Sequence, residues 1–104
     1  MIRPQIGLSD IYLDLSVETG TSFERSFTIY SKNGQELAGK ILSTNDKMVP
    51  VLTELSGTEC EIPFYFKGKM AIPGEEHYGE FLLLTNGGEF NIPYCVTVTS
   101  RKYR

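Results

Sequence analysis

Apolar and polar side chains alternate with period two in short segments along this chain, and clusters of Gly, Asn, Ser and Pro separate the segments. No long stretch carries helical spacing. From Ile11 to Val17 the apolar residues Ile11, Leu13, Leu15 and Val17 interleave with Tyr12, Asp14 and Ser16, which predicts a strand with one buried face. A second strand is expected over about Ser22 to Tyr30, with Phe23, Phe27 and Ile29 on its inner face and Arg25 near the open end of the strand. After the Asn33-Gly34 turn, a third strand from about Leu37 to Thr44 buries Leu37 and Ile41. Met48 to Leu52 reads as a short strand, and Pro50 assigns it to a sheet edge because proline has no amide proton to give to a central ladder. Thr58 to Phe66 lines one face with Cys60, Ile62, Phe64 and Phe66. A loop follows from Lys67 to Glu76, with Pro73-Gly74 at its tip.

The last two strands, about Tyr78 to Thr85 and Glu89 to Thr99, contain Gly-Glu-Phe twice, around Asn86-Gly87-Gly88. A two-residue turn at Gly87-Gly88 sets Leu83 opposite Ile92 and Phe81 opposite Tyr94. A turn at Asn86-Gly87 sets Leu83 opposite Phe90 and Phe81 opposite Ile92. Both registers keep one buried face, so a hairpin accounts for the doubled motif without a ligand. About seven such strands in 104 residues predict an all-β fold, an immunoglobulin-like antiparallel β-sandwich, with a small antiparallel barrel as the alternative.

The same parity leaves Leu82 and Leu84 on the outer face of their strand, beside Pro93 and Cys95, with Leu42 within reach from the third strand. An apolar band in water is costly, so Leu42, Leu82, Leu84, Pro93 and Cys95 form the candidate interaction surface. A loop or the termini of the chain itself could cover it; as a contact surface it would be covered by an adjacent domain of the same chain or by a protein partner, and it also allows weak self-association. Tyr12, Tyr30 and Tyr65 face outward as well, which gives a carbohydrate-binding module as the alternative function.

Charge narrows the partners. The net charge is −3, but Arg101, Lys102 and Arg104 lie in the last four positions, and without them seven bases face thirteen acids, a charge of −6 on the body. That surface argues against nucleic acid and anionic membranes, and no apolar run approaches the length of a membrane span. Cys60 points in and Cys95 out, an arrangement poorly suited to a disulfide; two separate thiols fit a cytoplasmic location. His77 stands alone among Glu75, Glu76 and Glu80, with no second histidine or metal-spaced cysteines, so no metal, cofactor or catalytic residue is expected.

The segments "VETGTSFERSFTIYSKNGQELAGKILSTND" and "PGEEHYGEFLLLTNGGEFNIPYCVTV" resemble the immunoglobulin-like module that begins a family of large bacterial proteins of unknown function. Gly20, Gly39, Gly79, Glu80, Gly88, Glu89, Ile92 and Pro93 match its positions. A looser likeness is to major-sperm-protein-like and Hydin-type sandwiches. The resemblance implies no catalytic residues, and it implies that the chain is one domain at the start of a longer protein.

Overall fold

The computed structural model describes residues 2–18, 23–67 and 72–100. Its strands are β1 (Ile6–Leu8), β2 (Leu13–Glu18), β3 (Phe23–Ser31), β4 (Leu37–Ser43), β5 (Met48–Pro50), β6 (Glu54–Gly57), β7 (Glu59–Phe66), β8 (Glu76–Thr85) and β9 (Gly88–Thr99). They form two sheets, one of four strands in the order β1-β3-β7-β5 and one of five in the order β2-β9-β8-β4-β6. The fold is an immunoglobulin-like β-sandwich. Its ladders are antiparallel except β2 against β9, which is parallel and pairs Leu13 with Tyr94 through Glu18 with Thr99.

Alternation builds the core. Leu13, Leu15 and Val17 of β2, Phe27 and Ile29 of β3, Ile62, Phe64 and Phe66 of β7, and Phe81 and Leu83 of β8 all turn inward and are buried. At its centre Phe81 of the five-stranded sheet meets Phe27 and Phe64 of the four-stranded sheet at ring-centroid distances of 5.4 and 5.0 Å. Tyr94 closes the cluster at 5.0 Å from Phe81. Tilted aromatic pairs at such separations add to the stabilisation from burial alone.

Nine strands, two more than the alternation predicts, occur among the described residues. The additional ones, β1 and β6, have three and four residues. Ile11, expected to face inward, is 79% exposed. It lies where the chain leaves β1 in one sheet and enters β2 in the other, so the pleat that would bury it has not begun. β5 lies at a sheet edge, as its proline requires, and the chain then changes sheets to form β6. Arg25 is exposed. The tip of the loop before β8 has Gly74 at φ 88°, while residues 68–71 of that loop, and Gly20 and Ser22 earlier in the chain, lie outside the described residues.

The β8–β9 hairpin takes the Asn86-Gly87 register, with Leu83 opposite Phe90, Phe81 opposite Ile92 and Thr85 opposite Gly88. Asn86 also ties the hairpin to β4. Its side-chain carbonyl accepts from the Ala38 amide at 3.1 Å, and its side-chain amide donates to the Glu36 carbonyl at 3.0 Å.

Candidate functional site

The outer face of the five-stranded sheet can be assembled from its ladders. Lys40 pairs with Leu84 and Leu84 with Glu89; Leu42 pairs with Leu82 and Leu82 with Asn91. Next along the face, Glu80 pairs with Pro93, then Tyr78 with Cys95, which is flanked on its other side by Asp14. The register brings Leu42, Leu82, Leu84 and Pro93 onto one contiguous surface. Leu42 is 49% and Leu84 40% exposed, while Leu82 and Pro93 are half-buried between them.

Cys95 does not belong to that exposed surface. Its register is outward, as its parity requires, but the residue is buried, with Tyr78 and Asp14 as its ladder partners on the two sides. Cys60 is buried in the core, and both cysteines are free.

Two tyrosines extend the face beyond the leucines. Tyr12, one residue before β2, and Tyr78 of β8 flank an open hollow of about 470 Å³ that is also lined by Pro93, Gly79 and Glu80. Tyr12 is 52% and Tyr78 63% exposed. Desolvation, followed by the neighbouring Cys95, Asp14 and Glu76, raises the Tyr12 phenol above its ordinary pKa. Tyr12 was legible as outward-facing. Its partner Tyr78 was not singled out, although its even parity with Leu82 and Leu84 placed it on the same face. Tyr30 and Tyr65 lie on the four-stranded sheet, where Tyr65 pairs with Glu24, six residues from Tyr30 along β3. At about 3.3 Å per residue that is roughly 20 Å, so Tyr12, Tyr30 and Tyr65 do not form a common platform.

Beneath the hollow, Tyr94 anchors the β4–β5 turn. The Asn45 amide donates to its hydroxyl at 3.2 Å, and the hydroxyl is 2.7 Å from Ser43 Oγ, whose own proton goes to the Asn45 carbonyl at 3.1 Å. Each group in this chain therefore has a partner of the right polarity. Tyr94→Phe would leave the partly buried Asn45 amide unpaired, and a loss of about 1–3 kcal/mol in urea unfolding is expected.

His77 is separated from most of the acids around it in sequence. It projects inward at the start of β8 and packs against Phe66 at 5.4 Å between ring centroids. Its Nε2 is 3.9 Å from Glu75 and has no hydrogen-bond partner. Glu76 and Glu80 have the opposite parity and lie on the outer face. Among the described residues no group of three or more His, Cys, Asp or Glu side chains is placed to hold a metal ion. Among the described residues there is no helix long and apolar enough to cross a membrane.

Solved structures share this architecture at very low sequence identity. The ASH/PapD-like domain 7 of human CEP192 matches with a TM-score of 0.77 and 5% identity over 96% of this chain and 89% of that one. WR4, an MSP family member of C. elegans, matches with a TM-score of 0.65 and 11% identity over 88% and 97%. The YadV chaperone matches with a TM-score of 0.69 and 10% identity over 95% of this chain but 54% of its own. A protease, VesB of Vibrio cholerae, is also similar, over 32% of its length. These likenesses show the fold alone. No curated protein sequence matches the chain. A family model does, over residues 1–104, and the chain belongs to the family it describes, the N-terminal part of a family of unknown function, DUF5717.

Proposed function

We propose that this chain is a non-catalytic immunoglobulin-like interaction or spacer module, one domain of a longer protein, whose five-stranded sheet contacts an adjacent domain or a protein partner through its outer face. The observation that carries this reading is the cross-strand set Leu42, Leu82 and Leu84, which continues through Pro93 to Tyr78 and Tyr12 on the same face. Large aliphatic side chains side by side on a solvent-facing sheet are stabilised when another surface covers them. Immunoglobulin-like neighbours that include a chaperone support a binding role, and the free thiols suit a reducing compartment such as the cytoplasm.

Hydroxyl-radical footprinting of the 104-residue chain and of the longer protein containing it tests the proposal. Leu42, Leu84, Tyr12 and Tyr78 are expected to react less in the longer protein or its native complex. Equal reactivity of all four in every state would remove the basis for the reading. Leu42→Ser with Leu84→Ser, at positions that are already partly exposed, should leave the fold intact and weaken the contact.

A further inference from the structure

The charges around the apolar band specify its partner more closely than the band itself. Glu89 and Glu80 face out on the ladder rows of Leu84 and Pro93, Asp14 and Glu76 face out on the two rows beyond Pro93, and Glu54 continues the row of Lys40. Lys40 is the one base among these outward-facing positions. Two of the carboxylates are held by neutral donors. Asn91 Nδ2 donates to Glu80 at 2.5 Å, and the Tyr78 hydroxyl donates to Glu76. Neutral donors fix a carboxylate in place without cancelling its charge. The face therefore combines an apolar centre with an excess of negative charge, five carboxylates against the one ammonium of Lys40.

The hollow between Tyr12 and Tyr78 concentrates both properties. Two phenol rings border it, Pro93 lines it, Glu80 is at its rim, and Asp14 and Glu76 are close enough to act on the Tyr12 phenol. Aromatic faces attract cations, and a guanidinium stacks on such a ring while its edge donates to carboxylates. Anionic lipid headgroups would be repelled by the same charges.

We infer that the hollow between Tyr12 and Tyr78 receives an arginine side chain of a protein segment whose neighbouring apolar residues cover Leu82 and Leu84. This rests on the outer face being a contact surface, and it adds the chemistry of what binds there. The occupant is a basic, apolar stretch of polypeptide; an acidic one would be repelled by the five carboxylates, and a purely polar one would leave the leucines without an apolar cover.

The test uses two synthetic peptides, acetyl-Leu-Arg-Leu-amide and acetyl-Leu-citrulline-Leu-amide, which differ in charge at nearly constant shape. Each is titrated into the 15N-labelled 104-residue chain. The arginine peptide is expected to give saturable shifts centred on Tyr12 and on Tyr78 to Glu80, and to bind about two- to fivefold or more tightly than the citrulline peptide. Tyr78→Ala and Tyr12→Ala, both at exposed positions, should each weaken the arginine peptide by a similar factor, and added salt should weaken it further. Equal binding of the two peptides, or shifts scattered over all the acidic residues without saturation, would overturn the inference. If the peptides fail while footprinting still protects Leu42 and Leu84, the arginine site falls and the contact surface stands.

Discussion

Phe81→Ala is expected to lower the free energy of unfolding by about 3–5 kcal/mol, the range for truncating a fully buried phenylalanine. Phe81 has no solvent exposure, and its ring touches Phe27 and Phe64 across the sandwich and Tyr94 within its own sheet. Removing it opens a cavity where four strands of two sheets, β3, β7, β8 and β9, converge, and rigid ladders cannot collapse to fill it. A domain of this size has roughly 5–15 kcal/mol in total, so the substitution would bring the chain to marginal stability. Phe90→Ala is the comparison. Phe90 lies near the hairpin end and is only partly buried, so its loss should cost clearly less. Urea midpoints for the two variants provide the measurement, and a smaller shift for Phe81→Ala than for Phe90→Ala would show that the centre of the core lies elsewhere.

The strands that carry this core could be read from sequence because their inner faces are marked every second residue. Ile62, Phe64 and Phe66 of β7 admit one pleat only, and Leu13, Leu15 and Val17 do the same for β2. β1 and β6 escaped because three or four residues give alternation nothing to repeat: β6 contributes only Leu55 to the core. Periodicity also assigns faces, not neighbours. Nothing in Leu13 to Glu18 announces that it lies parallel to β9, a pairing made by backbone groups at long sequence separation.

The candidate surface was legible to the same extent. Leu42, Leu82, Leu84 and Pro93 were placed on one face by parity, and the ladders join them. The burial of Cys95 was hidden because the ladders set what lies beside it, Tyr78 on one side and, through the parallel ladder, Asp14 on the other. That ladder also carries Tyr12 to the hollow opposite Tyr78. The doubled Gly-Glu-Phe resolves into two different constraints. At Gly79 a Cβ would come within 2.5 Å of the Tyr94 hydroxyl, so the glycine gives that ring room to reach Ser43. At Gly88 the requirement is backbone conformation, φ 125°, on leaving the turn.

Gly39→Ala is expected to cost about 2–6 kcal/mol, from a strained backbone and an overpacked contact together. Gly39 lies in β4 between Leu55 of β6 and Thr85 of β8, at φ 157°. A Cβ there would overlap the Leu84 carbonyl oxygen and lie 2.8 Å from Thr85 Cα. These are backbone atoms held in the β4–β8 ladder, so no side-chain rotation relieves the clash, and the two strands must part. Separation would disturb the pairing of Leu42 with Leu82, so the cost of the methyl group should reach the outer face as well as the core. Gly34→Ala separates the two contributions. Gly34 has φ 78° but no atom within 4 Å of an added Cβ, so it carries only the conformational cost of about 1–2 kcal/mol. In urea unfolding Gly39→Ala should therefore lose markedly more than Gly34→Ala, with altered amide shifts at Leu82 and Leu84 in the former only. Equal losses would mean that β4 and β8 can yield at this point, and that Gly39 is required by its dihedral angles alone.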